Sequence, residues 1–202
     1  RQFVQMSTIA VFGCASRISE ATPERPQTYY GSSKLKADKE LVAMSDREFK
    51  TAIIRPPMAY GGGMAPGNML RLIRLVNKHI PLPFGSARNS RDFINVKNLV
   101  EFIHLAVEKE VEGVFYPPDK VPYSTRNVIE EISRQLGVHT INLPSPSIFL
   151  KLVEKVRPDL YQKLWGDVVI DRQLALSAIG YEPRYTLEDG IREMVESFKQ
   201  QK

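Results

Sequence analysis

Cysteine occurs once in the 202 residues, at Cys14, so the chain can close no internal disulfide, and its cysteine usage suits a reducing, cytoplasmic setting. No apolar run approaches the roughly 20 residues that a helix needs to span a bilayer. No signal-peptide pattern stands at the N-terminus, which begins with Arg1. Histidine is scarce: His79, His104 and His139 show no metal-ligand spacing and no Cys/His pair accompanies them, so no metal site is expected. There is no arginine-rich block and no aromatic ladder, which argues against nucleic acid as a partner. A glycine-rich turn is missing too. Neither G-x-G-x-x-G nor G-x-x-G-x-x-G occurs. The nearest stretch, Gly61-Gly62-Gly63-Met64-Ala65-Pro66-Gly67, has proline where the last glycine of such a fingerprint would fall, and it follows the wrong strand.

What is present is ordinary for a globular chain: 43% hydrophobic and 25% charged residues, enough to bury a core in one domain or two small ones. The formal charge of +5 suits an anionic ligand, with the basic residues dispersed rather than clustered.

Within this frame one pair stands out. Tyr30 and Lys34 lie four residues apart in Tyr30-Gly-Ser-Ser-Lys34, at the opening of a stretch that reads as a helix. Four residues are about one turn, so both side chains project from one face. A phenol held beside an ammonium loses its proton more readily, because the positive charge stabilises the phenolate, and that is one way to make a general base. Upstream, the apolar run Phe3 to Gly13 opens with a buried strand over residues 2–7, whose end presents Ser7 and Thr8 to a cleft. Downstream, Thr51 to Gly61 is a strand running into Arg55-Pro56-Pro57-Met58-Ala59-Tyr60-Gly61, and Arg91-Asp92-Phe93-Ile94-Asn95-Val96 follows.

In this order and spacing the four segments resemble the extended short-chain dehydrogenase/reductase family, and within it the NAD-dependent nucleotide-sugar epimerases and dehydratases, including those acting on UDP-glucose. The family forms are a serine-rich strand end before V-Y-G, then Y-x-x-x-K, R-P-x-x-x-Y-G and R-D-[FY]-[IV]-x-V. Ile179-Gly180-Tyr181-Glu182-Pro183 is similar to its late L-G-[WY]-x-P. The resemblance implies an α/β fold: the C-terminal part of a doubly wound, Rossmann-type parallel sheet interleaved with a smaller, mainly helical substrate-binding lobe. The expected division is 1–57 and 92–118 for the sheet domain, 58–91 and 119–202 for the lobe, with the glycine-rich part belonging to a segment upstream of Arg1.

The same resemblance implies NAD as cofactor, with NADP left open, and a nucleotide-diphosphate sugar, UDP-linked, as substrate. Tyr30 becomes the acid/base at the sugar 4-hydroxyl, Lys34 its electrostatic partner and a ribose contact, and Thr8 the hydroxyl that holds the reacting oxygen. Ser7, Pro56 and Pro57 are expected beside the cofactor; Arg91 and Asn68 are expected at the substrate. Set against these roles are plainer ones: a strand-end hydroxyl satisfying local backbone for Thr8, a surface ion pair with Asp92 for Arg91, and a helix cap for Asn68. The glycine loop at 61–67 is expected to be mobile and near the substrate. A homodimer is expected, paired through helices that include the one bearing Tyr30.

Three departures qualify the match. Phe12 replaces the usual tyrosine of V-Y-G, Met58 stands where many epimerases have asparagine, and Leu164-Trp165 precedes Gly166-Asp167 where many have arginine. The reading is a C4 epimerase working through a transient 4-keto sugar. A reductase of a nucleotide 4-keto sugar and a non-catalytic binding module stay open beside it. Dehydration is disfavoured, because Ile9 and Ala10 occupy the positions of the acid/base pair that such chemistry adds.

Helical spacing predicts the remaining core. Leu35, Leu41, Val42 and Met44 are expected to face inward from a helix over about 30–45. Further stripes are Met69, Leu72, Ile73 and Val76, then Leu99, Ile103 and Ala106-Val107, then Val128, Ile129, Ile132 and Leu136. The last are Ile148, Phe149, Leu152, Val153 and Val156, read as core-facing despite Lys151, Lys155 and Arg157 beside them, and Leu187, Ile191, Met194-Val195 and Phe198.

Overall fold

Parallel pairing needs a crossover between strands, and the helical stretches that separate the short β-branched and apolar segments supply it. The computed structural model, which describes residues 1–63, 67–172 and 179–201, shows this arrangement. In chain order the elements are β1 (Gln2–Met6), β2 (Arg17–Ile18), α1 (Tyr29–Met44), β3 (Lys50–Ile54), β4 (Met58–Tyr60), α2 (Asn68–Asn77), β5 (Phe93–Asn95), α3 (Val96–Glu108), β6 (Gly113–Phe115), α4 (Thr125–Leu136), α5 (Ser147–Val156), α6 (Pro158–Leu164), β7 (Val169–Ile170) and α7 (Leu187–Gln200).

The chain divides into two compact units, 1–59 with 92–121 and 168–184, and 60–91 with 122–167 and 185–202. In the first unit, β1, β3 and β6 form a parallel sheet in the order β1-β3-β6, with Gln2 opposite Lys50 and Ala52 opposite Gly113. β3 is central and buried from Thr51 to Ile54. β1 lies at the edge of these three strands, and its Phe3 is exposed, so the expectation of a buried strand holds for β3 and not for β1. Behind the sheet, Ala52, Ile54, Ile94, Leu99, Phe102, Ala106 and Phe115 form one core cluster.

Segment 168–184, placed with the lobe by sequence position, packs in the first unit instead. β7 pairs in parallel with β2, and Ile170 joins Val11, Phe12, Ile18 and Leu35 in a second cluster. Tyr181 sets its ring edge-on to Phe102, 5.2 Å between centroids, and its hydroxyl donates to the Asn98 carbonyl at 2.7 Å. Side-chain chemistry decides this membership, and chain order cannot show it.

The second unit is helical. α4 packs on α2 and on α7, burying Val128, Ile129 and Ile132 against their apolar stripes. Reciprocal caps start two of these helices: Ser124 with Asn127, and Thr186 with Asp189, satisfying N–H groups that a helix start leaves open. Hydrogen bonds from the Thr186 backbone and hydroxyl hold the Asp189 carboxyl below its ordinary range.

Four stripe expectations need correction. In α1 the buried face is Gly31, Leu35 and Asp38, while Val42 and Met44 are exposed. Met44 lies nine residues from Leu35, half a rotation away at about 100° per residue; Val42 shares the inward angle but falls in the last turn. In α3, Val107 is exposed and Phe102 takes the central place. In α2, Leu70 is buried and Leu72 only half-buried. In α5, Ile148, Leu152 and Val156 are exposed, and the Phe149 side chain lies outside the described residues. The loop expectation at 61–67 also falls partly outside them, at 64–66.

Burial, with the nearby Glu101 and Asp119 carboxylates, pushes the Tyr181 phenol well above its ordinary value. A raised folded value contributes stability that is complete below the unfolded value of about 10 and is lost as pH rises through the folded one. Tyr181→Phe is therefore expected to cost about 1 kcal/mol at pH 8 through the lost hydrogen bond. The gap from wild type should narrow above about pH 10, and urea titrations at the two pH values check both parts.

Candidate active site

Ligands of parallel α/β sheets bind beyond the carboxyl ends of the strands, and the predicted chemistry gathers at that end of β1. Strand pairing continues one residue past β1, the Ser7 N–H donating to the Ile54 carbonyl at 2.7 Å. The strand ends there, as its reading over 2–7 expected: Thr8 is extended, and Ile9–Phe12 form a 3-10 turn. Thr8 caps this turn, its Oγ1 accepting from the Ala10 N–H at 3.2 Å. Gly13 ends it at φ 64°, where a Cβ would lie 2.4 Å from the Arg25 carbonyl oxygen, so only glycine fits.

α1 begins directly over this turn. Thr28 caps it through the Gly31 N–H at 3.0 Å. Gly31 lets the first turn close on the 3-10 turn, since a Cβ there would meet the Ala10 carbonyl oxygen at 2.7 Å. One turn on, Lys34 Nζ donates to the Met6 carbonyl at 2.9 Å. Gly31 thus touches Ala10 and Lys34 touches Met6, so Thr8 sits between the two points at which the Tyr30–Lys34 turn is fastened. Tyr30 is 57% exposed, which leaves its phenol open to a ligand. Tyr29 is 98% exposed and lacks the spacing to Lys34.

Beneath this face is a polar cluster that sequence reasoning missed. Asp38, 1% exposed, accepts at Oδ2 from Ser7 Oγ at 2.7 Å and from Arg55 Nε at 2.9 Å. Arg55, 4% exposed, also pairs with Glu24 Oε1 at 2.7 Å and donates to the Tyr116 hydroxyl at 3.4 Å. Its guanidinium lies 5.5 Å from the centroid of Phe12. Burial alone would lower the Arg55 pKa, but Tyr116, Glu24 and Asp38 hold it above its ordinary value. Burial likewise raises the Tyr116 phenol against the pull of Arg55. Phe12 therefore serves as a platform for a cation, a job for which the replaced tyrosine's hydroxyl is unnecessary. Pro56 and Pro57 follow Arg55 and are buried. The available signal was Asp38 itself, an acid on the same helix face as Gly31 and Leu35. The Ser7 hydroxyl, expected toward a cofactor, is donated into this cluster.

Arg91 and Asn68 belong to the second unit. Arg91 NH1 donates to the carbonyls of Gln162 at 2.9 Å and Gly166 at 2.7 Å, and its backbone bonds both ways with Tyr123. Burial lowers the Arg91 pKa against the opposing charge of Asp167. The alternative of an ion pair with Asp92 is not what forms: Asp92 holds Arg172 at 2.5 Å and accepts from the Ile170 N–H at 2.7 Å. Asn68 is the first residue of α2, whose cap position is Gly67 with no side-chain bond, so Asn68 is not a cap. Its side chain is exposed.

A parallel sheet with helical crossovers is the framework of the dinucleotide-binding α/β folds. Residues 1–116 match the NAD dependent epimerase/dehydratase family, and the chain belongs to that family. It is 32% identical to a UDP-glucose 4-epimerase of Vibrio cholerae over 99% of this chain and 64% of that protein. Among solved structures, a UDP-glucuronic acid 4-epimerase from Bacillus cereus in complex with NAD superposes with a TM-score of 0.77 at 22% identity, over 98% of this chain and 61% of that one. A dTDP-glucose 4,6-dehydratase from Bacillus anthracis gives 0.72 at 21%, over 98% and 61%. These likenesses establish the fold, which both chemistries share. The chain spans somewhat less than two thirds of the length of these relatives.

The cluster beneath Tyr30 makes a stability prediction. Removing one partner of a buried ion pair strands the other charge, so Asp38→Ala is expected to cost about 3–5 kcal/mol. Ser7→Ala removes one hydrogen bond and should cost about 1 kcal/mol. Urea unfolding monitored by circular dichroism compares the two; equal losses would contradict the account.

Proposed function

We propose that this chain carries the acid/base and substrate-binding residues of an NAD-dependent epimerase acting at C4 of a UDP-linked sugar. The observation that carries this reading is the turn Tyr30–Lys34, fastened at Met6 and Ala10 on either side of Thr8, with the Tyr30 phenol exposed. Tyr30 takes the proton of the 4-hydroxyl and later returns it. Thr8 Oγ1, which can donate as well as accept, holds the reacting oxygen. Lys34 contributes a positive charge on the helix face it shares with Tyr30.

The residues present suit the nicotinamide end of NAD: an ammonium, a phenol and a hydroxyl at the carboxyl edge of a parallel sheet. Lys34 and Tyr30 would hold its ribose, with Ser7, Pro56 and Pro57 alongside. When bound, NAD supplies the acceptor and donor of hydride that the 4-keto route requires, and NADP could serve the same chemistry. On the substrate side, Arg91 is proposed to grip the diphosphate with a guanidinium whose plane two carbonyls fix, and Asn68 to meet the nucleotide. The proposal also includes a cytoplasmic homodimer joined partly through the outer face of α1, where Tyr29 and Met44 are exposed.

The named relatives support a UDP sugar, two of them being 4-epimerases of UDP-linked substrates. Dehydration is disfavoured, since Ile9 and Ala10 lie in the 3-10 turn and offer no carboxyl. A 4-keto sugar reductase is the second reading. It is favoured by Trp165, which packs on Phe84 at 5.0 Å and stacks on Tyr161, so this stretch is built for packing where many epimerases place a cation.

Tyr30→Phe in the full-length natural protein tests the role of the phenol. General acid/base catalysis contributes about 10²–10⁴-fold, and turnover of UDP-glucose with NAD should fall by that order while UDP binding stays unchanged. Undiminished turnover would overturn the proposal. Consumption of NADH without interconversion of sugars would select the reductase.

A further inference from the structure

The helix α5, read from its sequence as core-facing, turns its most apolar side outward: Ile148 is 81%, Leu152 59% and Val156 65% exposed. These residues are spaced by four, so at about 100° per residue they form one stripe spanning about 80° of the helix surface. Lys151 and Lys155, also exposed, fall within about 60° of Ile148 on one flank of the stripe. Glu154 falls about 160° from Leu152, on the side away from it. Arg157, exposed, follows at the helix end. Leu150 and Val153 are half-buried on the inner side, where α5 packs on α6.

We propose that this face of α5 docks on an anionic lipid surface. An apolar stripe with lysines along its border and its acid turned away is the arrangement of a helix lying in a membrane interface: aliphatic side chains enter the acyl boundary, and lysine stems reach back to the headgroups. Ten residues rise about 15 Å, too short to cross a bilayer. Among the described residues no helix is long and apolar enough to do so, and the contact is peripheral. The charge pattern selects this occupant over a second copy of the chain. A self-complementary pairing of the stripe would bring Lys151, Lys155 and Arg157 toward their own copies with no acid to meet them. Size selects it over a folded protein partner, since three aliphatic side chains on one short helix fall far below the about 800 Å² per side of a stable protein interface.

The test is co-sedimentation of the full-length natural protein with phosphatidylcholine vesicles, with and without phosphatidylserine, at low and high salt. Wild type should bind the phosphatidylserine vesicles at least about tenfold more tightly than the neutral ones, with the excess lost at high salt. Leu152→Glu and Lys151→Glu/Lys155→Glu should each reduce that binding at least about tenfold. Both change exposed side chains, so urea midpoints should not move. Absence of binding, equal binding to both vesicles, or binding indifferent to both variants overturns the proposal. So does a concentration-dependent dimer, seen by sedimentation equilibrium without lipid, that Leu152→Glu abolishes; that result assigns the face to a second copy.

Discussion

The candidate site residues of the first unit are registered on one buried ion pair, Asp38 with Arg55. Asp38 and Arg55 are both almost wholly removed from water, and each answers the other's buried charge at 2.9 Å. Because Asp38 is on α1 and Arg55 directly follows β3, the pair sets how α1 lies along the strand ends. Ser7 hydrogen bonds to the same carboxylate oxygen and adds β1 to the arrangement. Glu24, Tyr116 and Phe12 then complete the surroundings of the guanidinium from three further places in the chain.

This constraint acts on residues of the proposed site that it does not contain. Thr8 follows Ser7, Pro56 follows Arg55, and Lys34 precedes Asp38 by one helical turn. Anchoring the second member of each pair positions the first without using its functional atoms. Gly31 is the steric counterpart, since any side chain there would push α1 off Ala10 and away from Thr8. The second unit uses a cation in a comparable way: Arg91 NH1 ties the 162–166 backbone, while Asn89 and Thr125 bond to each other and to the carbonyls of Gly166 and Leu164.

Helical periodicity was a good guide wherever an amphipathic helix packs on one neighbouring layer. In α4 and α7 the inward residues are those the spacing names, apart from Leu136, which is half-buried. It failed in α1 because that helix buries a glycine and a charged residue, which an apolar count passes over. In α5 the pattern was real and its direction was wrong: amphipathicity locates an apolar face and says nothing about what that face meets. The strand read at residues 2–7 formed as β1, its pairing ending where the Thr8 hydroxyl caps a 3-10 turn; what its composition could not show is that Phe3 stays exposed.

By itself the sequence determined the α/β alternation, the four ordered motifs and the turn that pairs Tyr30 with Lys34, because these depend on local spacing and on the period of a helix. Tertiary structure decided that Thr8 lies between the two fastening points of that turn, that Arg55 is an internal cation, that Asp92 partners Arg172, and that 168–184 joins the first unit. Each of these joins residues far apart in the chain through burial and charge pairing. Such partners have no spacing rule, since their energy comes from the absence of water around them, and only the folded chain excludes it.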